Sequence, residues 1–447
     1  MKNERTKELM RYVFPAVGGL CVLFLYNIVD GIFVGQGVGA TALGAVNMSV
    51  PFVTATMAFA SMFPMGGATI IAIRTGQGDK EGANQAFMSA LTLTTIVSLV
   101  LTVIGMVFAK EIIMLSGGSN LSSDMVDMSV EYLFYFMAFC FPMLMSPCLS
   151  VFVRNDGVPG LAFWGMCAGA ISNIFLDWLF VFPFQWGIVG AAIASGLGQI
   201  VSCVVLLSHF IYKKGDMRIK KFHLNFSLMK TICKCGIPEV ASQLTTPVTS
   251  FCYNIVLASI IGDLGISTFS VLSFLFSLAN AILMGVAQGM QPLWGKSYGM
   301  QDKKSLSCYF KTSFWINVII STTITIIFTV FAEEAILIFN DEADLVASGM
   351  KALPIFALSF IPMGINLIIA GYFFSIQRTV QANIISMSRG IVLKAIVIFL
   401  LPMLFGETVI WLSPFVAELI TLGIAGIIML QDKKNENYIA IKNSTVY

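Results

Sequence analysis

Charge is what this sequence has least of. Of its 447 residues, 11% are charged and 57% hydrophobic, with a mean hydropathy of +0.86, whereas a soluble domain carries about 25% charged residues. A water-soluble globular fold is therefore excluded. Histidine is also scarce. The only two, His209 and His223, have no obvious acidic or nucleophilic partner, which leaves little room for an enzyme. The nine cysteines are scattered, mostly inside apolar runs where a thiol serves as a small hydrophobe. Cys233 and Cys235 lack a second ligand pair, so neither a disulfide framework nor a zinc site is expected. There is no GxxxxGK[ST] loop and no extramembrane segment large enough for a nucleotide-binding domain. Energy for any transport must then come from an ion gradient.

What the chain does have is long apolar runs. They are about 20 residues long, too long and too frequent for membrane β-strands, and the first continues past the length of a signal peptide without a small-residue cleavage site. Twelve helical spans are predicted, at approximately 12–34, 46–72, 87–109, 130–152, 160–182, 187–211, 236–261, 267–293, 309–331, 350–375, 382–404 and 408–430. An even number puts both termini on one side. With that side cytoplasmic, all but three of the 26 basic residues fall in the termini, the connections on that face or the adjoining helix ends. The exceptions are Lys110, Lys351 and Lys394. The opposite connections carry acids instead, at Glu333–Glu334 and Asp341–Asp344.

The chain repeats itself near half its length. Pro15 recurs as Pro238, and RTGQGDKEGA (Arg74–Ala83) recurs at the same offset as SYGMQDKKSL (Ser297–Leu306). YNIV (Tyr26–Val29) returns as YNIV (Tyr253–Val256), with Gly35 matched by Gly262. Each half holds six spans, so the expected fold is an all-α integral membrane protein of two six-helix lobes related by a pseudo-two-fold axis along the membrane normal. The expected divisions are an N-terminal lobe (1–212), a basic cytoplasmic linker (213–227), a C-terminal lobe (228–431) and a cytoplasmic tail (432–447).

The stretch FLYNIVDGIFVGQGVG (Phe24–Gly39) places a carboxylate, Asp30, inside a run able to cross a bilayer. Intramembrane acids cost roughly 2.5 kcal/mol or more on insertion scales and mark ion or substrate paths. Asp30 lies about 6 Å and Asp177 about 8 Å from the same end of their spans, at 1.5 Å per residue. Asn173 shares a helix face with Asp177 one turn away, and Ser195 reaches the same layer from the next span. Two carboxylates, an amide and a hydroxyl are hard oxygen donors suited to Na+ at Asp30, Asn173 and Asp177; alternatively one carboxyl holds a proton, because like charges disfavour joint ionisation. In the second half YNIVD becomes YNIVL, so Leu257 stands where Asp30 stood. That half has its own buried charges, Lys394 and Glu418, which adjacent antiparallel helices can pair. The pair reads either as a fixed structural bridge or as a part of substrate or proton handling. Gln288 and Gln291, on a Met- and Phe-rich span, are candidate substrate contacts, since Met repacks around varied ligands and aromatic faces attract organic cations.

In their order, Pro15…YNIVDGIFVGQGVGATALGAVN, IIAIRTGQGDKEGA, SNIFLDWLFV, GIVGAAIASG and QPLWGKSYGMQDKK resemble the multidrug and toxin extrusion (MATE) family, nearest its bacterial MepA-like branch. The resemblance covers essentially the whole chain. It implies a V-shaped pair of six-helix lobes in the bacterial cytoplasmic membrane, and alternating access that exports organic, mostly cationic aromatic drugs in exchange for Na+ or H+. It further implies cation coordination at Asp30, Asn173, Asp177 and Ser195, where threonine is usual, and a bending helix at Pro15. Other members place acidic cation ligands on spans 7 and 10. Here Thr246 stands near the first of these positions, and residues 350–375 contain no acid. Apart from the coupling ion no cofactor is implied. The implied partners are small organic cations and the lipid bilayer, with no nucleic acid and no obligate protein partner. The alternative is a flippase for lipid-linked oligosaccharides, which would need several cationic residues along a central cavity. Lys394 and Arg389 are the ones available.

Overall fold

The structure, a computed structural model, describes residues 2–116, 122–220, 225–339 and 342–444. His223, Asp341, positions 221–224 of the expected linker and positions 445–447 of the expected tail lie outside the described residues. The described chain is almost wholly helical. The first half forms α1 (Lys2–Gly37), α2 (Ala40–Gly76), α3 (Lys80–Val107), the short α4 (Ala109–Leu115), α5 (Ser123–Ala138), α6 (Cys140–Asn155), α7 (Pro159–Val181) and α8 (Gly187–Ile211). The second forms α9 (Phe226–Gln243), α10 (Thr245–Ile260), α11 (Asp263–Gly299), α12 (Lys303–Val330), the short α13 (Ala332–Leu337), α14 (Ala343–Ala357) and α15 (Phe360–Ser375). After these come α16 (Thr379–Met387), α17 (Leu393–Phe405) and α18 (Ser413–Ser444). A π-turn at Ser388–Val392 joins α16 to α17, and a 3-10 turn at Glu407–Leu412 leads into α18.

Among the described residues, 10 helical stretches are long and apolar enough to cross a membrane, and α5 with α6, bent by 49°, make an eleventh. The remaining expected span, 236–261, is divided at Leu244 between α9 and α10. The breaks have a common cause in the sequence. Proline cannot donate to the carbonyl four residues back and its ring collides with it. Pro142 and Pro247 stand four residues after Ala138 and Gln243, where α5 and α9 stop, and Pro362 stands five after Ala357, where α14 stops, so that it leaves the carbonyl of the capping Leu358 without its helical donor. Pro15, by contrast, sits inside a helix that runs on through it.

The half-repeat is visible as matched turns. Asp79 caps α3 by accepting a 2.8 Å hydrogen bond from the Gly82 N–H, and Asp302 caps α12 by accepting one of 3.0 Å from the Ser305 N–H. In each turn the residue before the cap has a positive φ, +79° at Gly78 and +57° at Gln301. The glycine adopts that conformation without strain; the glutamine does not.

By contacts the chain divides into two compact units. One is Met1–Leu244 with Gln288–Tyr309 and Ser375–Gln377; the other is Thr245–Ala287 with Phe310–Phe374 and Arg378–Tyr447. In the first unit α7 and α8 run closely together, because Gly198 of α8 meets Gly169 of α7 with no side chain between. The second unit is built on an aromatic core. Tyr253 stacks on Phe269 at 4.3 Å, its hydroxyl donates to the Ile410 carbonyl at 3.0 Å, and Phe276, Phe356, Phe360 and Trp411 surround them. Leu257, at the position matching Asp30, is fully buried in this core.

Candidate cation site and a second buried charge cluster

Helices α1, α7 and α8 bring the polar residues of the first half together. Asp30 and Asp177 face one another across α1 and α7. Asn173, one turn before Asp177 on the same face, lies beside its carboxyl and donates from Nδ2 to Ser195 Oγ at 3.3 Å. Asp177, Asn173 and Ser195 are buried, while Asp30 is half-buried with one oxygen turned fully inward. All four residues expected to coordinate a cation are thus gathered in one place. Their oxygens are not satisfied by the protein. Asp30 Oδ1, both Asp177 oxygens and Asn173 Oδ1 are buried and accept no hydrogen bond, an arrangement that costs free energy unless a cation or proton answers it.

Three more side chains stand at this site. Tyr26 is one turn before Asp30, and its hydroxyl lies against the Gln199 amide. Gln199 is one turn after Ser195. Tyr132 of α5 belongs to the same buried cluster as Val34 and Val181, which lie one turn from Asp30 and Asp177. None of the three was expected at the site from the sequence; helical spacing from Asp30 and Ser195 is a signal that could have found Tyr26 and Gln199, whereas nothing in the spacing of α5 singles out Tyr132. One turn beyond each carboxylate the chain becomes apolar. Val34 follows Asp30, Val181 follows Asp177, and with Ala42, Ala45, Tyr132, Ile188, Ala191 and Ala192 they form a buried cluster. This plug closes the site toward the Gly37 end of α1.

The other candidates are placed as follows. Gln291 is buried and its Nε2 donates to Thr69 Oγ1 at 3.3 Å and more weakly to the Met65 carbonyl, both on α2, so its amide helps hold α11 to α2. Gln288 is half-buried one turn before it. In the second unit Lys394 Nζ lies 3.5 Å from Glu418 Oε1, and Arg389 Nε reaches the same oxygen at 3.5 Å. Asn366 Nδ2 donates to Glu418 Oε2 at 2.8 Å, and the Lys394 ammonium sits 4.9 Å from the centre of the Phe276 ring. The Lys394–Glu418 pair is therefore part of a larger group. Arg389 enters through the π-turn, an irregularity that hydrophobic periodicity does not announce.

At the opposite end of the first unit from the plug, His209 Nε2 and Asp156 Oδ2 are 2.8 Å apart and both buried. Asp156 also accepts from the backbone N–H groups of Asp216 and Met217, and Asn84 Oδ1 accepts from the Arg218 N–H at 2.6 Å. The described part of the expected linker is fastened there. His209 thus has an acidic partner that its sequence neighbours do not include.

Comparison with known proteins agrees with this architecture. The chain matches the MatE family over residues 15–179 and 238–400. It is 24% identical over 423 residues to the multidrug export protein MepA of Staphylococcus saprophyticus, covering 94% of this chain and 92% of that one. Among solved structures, an outward-facing multidrug resistance MATE family transporter of the MOP superfamily superimposes with a TM-score of 0.90 at 22% identity, covering 96% and 97% of the two chains. A MOP superfamily transporter from Pyrococcus furiosus, described as having a binding pocket of reverse polarity, gives 0.87 at 22% identity over 94% of each.

Proposed function

The chain belongs to the MatE (multidrug and toxin extrusion) family of transporters, and from that premise we propose that it is a cation-coupled antiporter. It exports organic, mostly cationic aromatic compounds across a bacterial cytoplasmic membrane, with both termini cytoplasmic. The observation that carries this reading is the set of buried acceptor oxygens on Asp30, Asp177 and Asn173 that accept no hydrogen bond. Two carboxylates held this close and away from water need a positive charge between them, supplied either by Na+ or by a proton. Na+ suits the hard oxygens of the two carboxylates and the Asn173 amide, and Ser195 holds that amide in place.

In this scheme the cation enters from outside, neutralises the pair and lets α1 settle against α7; its release inward is coupled to the outward release of drug. Pro15, which leaves one carbonyl of α1 without its helical partner, supplies the bend. The energy suffices. One charge crossing 100 mV is worth about 2.3 kcal/mol, and each 1.4 kcal/mol sustains a tenfold gradient.

The test is efflux of a fluorescent organic cation from vesicles, with Na+ and pH gradients imposed separately, for the parent and for Asp30→Asn. The expected result is efflux driven by one of the two gradients and lost in the variant at normal membrane abundance. Undiminished, gradient-dependent efflux from Asp30→Asn would remove this site from the coupling step.

A further inference from the structure

The charge group in the second unit does not balance. Two cations, Arg389 and Lys394, meet one carboxylate, Glu418, and all three side chains are 2% exposed or less. Asn366 adds an amide to Glu418 and no charge. Arginine remains protonated inside proteins, so with lysine in its ordinary charged form the group carries one positive charge in excess, deep within membrane-spanning helices. The donors show the same surplus. Arg389 Nη2 is buried with no acceptor, and Arg389 Nε and Lys394 Nζ share a single oxygen, Glu418 Oε1, each at a long 3.5 Å that leaves that oxygen without a close hydrogen bond as well. Buried charges are tolerated when paired and hydrogen-bonded, and here the missing partner is an acceptor with negative charge.

We propose that Arg389 and Lys394 form a receiving site for the carboxylate of an aromatic substrate, with Phe276 as the face on which its ring system rests. This inference rests on the export reading above and extends it to zwitterionic compounds that carry a carboxylate beside their cationic group. The chemistry fits each part. A guanidinium offers a planar fork that matches a carboxylate, an ammonium adds a point charge, and an aromatic face is apolar enough to take the rest of the molecule. Phe276 lies within contact of both the Lys394 ammonium and the aromatic core, with Phe356 edge-on at 6.0 Å and Phe360 tilted at 6.3 Å.

The π-turn Ser388–Val392 gives the site a way to open. A π-turn holds one residue more than an α-turn and recurs at functional sites. Restoring α geometry there rotates Arg389 against Lys394 by about 100°, one residue of helical advance. The guanidinium then leaves Glu418 and is free to meet an incoming carboxylate. Glu418 acts in this scheme as the resident anion that the substrate displaces from Arg389.

The experiment uses two dyes of one scaffold, rhodamine B with a free carboxylate and its ethyl ester without one. Efflux of each is measured with the full-length protein in vesicles, for the parent and for Arg389→Gln, Arg389→Lys and Lys394→Met, normalised to folded transporter by thermal unfolding of the purified protein. The expected result is export of both dyes by the parent. Rhodamine B export should fall tenfold or more in Arg389→Gln and Lys394→Met while ester export changes less than twofold, and Arg389→Lys should recover part of the loss. Parallel loss of both dyes in folded variants would make the group a structural bridge and overturn the proposal, as would unchanged rhodamine B export. If the parent exports the ester but not rhodamine B, this inference fails alone; if it exports neither dye nor any organic cation, the export reading fails with it.

Discussion

Gly198 of α8 rests directly on Gly169 of α7. A methyl group on Gly198 would lie 2.8 Å from the Gly169 carbonyl oxygen and 2.8 Å from Asn173 Cβ, closer than packed carbon allows. Asn173 is also the residue that spans from Asp177 to Ser195, so the spacing of these two helices sets the geometry of the candidate cation site.

Gly198→Val should therefore push α8 away from α7 and separate Asn173 from Ser195. Overpacking of this kind costs about 1–3 kcal/mol. The expected outcome is a lower thermal midpoint and at least a tenfold loss of gradient-driven efflux, with Gly198→Ala intermediate in both. Normal efflux in a folded Gly198→Val protein would show that the contact is not needed to hold the site.

The cap of α12 makes a prediction about pH. The hydroxyl and backbone N–H of Ser305 hold the Asp302 carboxyl below the usual carboxylate range. A group whose value is depressed on folding stabilises the protein above its unfolded value, near pH 4, and loses that effect as pH falls through the folded value. Asp302→Ala should cost about 1 kcal/mol at pH 7, the usual worth of an N-cap. In thermal denaturation of the solubilised protein, the gap between parent and variant should narrow below about pH 4. A gap that stays constant from pH 7 to pH 3 would mean that the cap works without its charge.

The fastening at the other end of the first unit depends on Asp156. It pairs with His209 and accepts from the backbone of Asp216 and Met217. Removing one partner of such a buried group leaves the other unsatisfied, at a cost of about 3 kcal/mol. Asp156→Ala should free the segment around Lys213 and Lys214, and limited trypsin digestion should cut there several times faster than in the parent, while Lys80→Ala, which removes only an exposed pair with Asp216, should leave the rate unchanged.

Much of this arrangement was legible in the sequence because the bilayer constrains it so strongly. Apolar runs must be helices, an acid within one must be accounted for, and helical spacing then placed Asn173 beside Asp177. The breaks after Ala138, Gln243 and Ala357 were also written in, as prolines four or five residues on, but a hydropathy profile averages over them. The partners of the charges were less legible. Tyr132 joins the cation site from α5, and Asn366 reaches Glu418, through contacts between helices that no periodicity within one helix encodes. Arg389 depends on a π-turn, which shifts the register of side chains without changing composition. The acidic partner of His209 lies on another helix, and proximity in sequence could not supply it.

Tyr26 tests whether the cation site extends beyond the residues that sequence alone picked out. Its ring stands one turn from Asp30, and its hydroxyl meets Gln199, which is itself one turn from Ser195. The contact thus links α1 to α8 beside the two carboxylates, and it does so without contributing charge. Tyr26→Phe removes the hydroxyl and keeps the ring, so packing survives and only the hydrogen bond is lost, worth about 1 kcal/mol. Because each 1.4 kcal/mol is tenfold in affinity, the coupling ion should half-saturate efflux at about a fivefold higher concentration, with the maximal rate preserved. Asp30→Asn should instead abolish the maximal rate. If Tyr26→Phe leaves the half-saturating concentration where it was, the hydroxyl orients nothing that the ion feels, and the site ends at the carboxylates, Asn173 and Ser195.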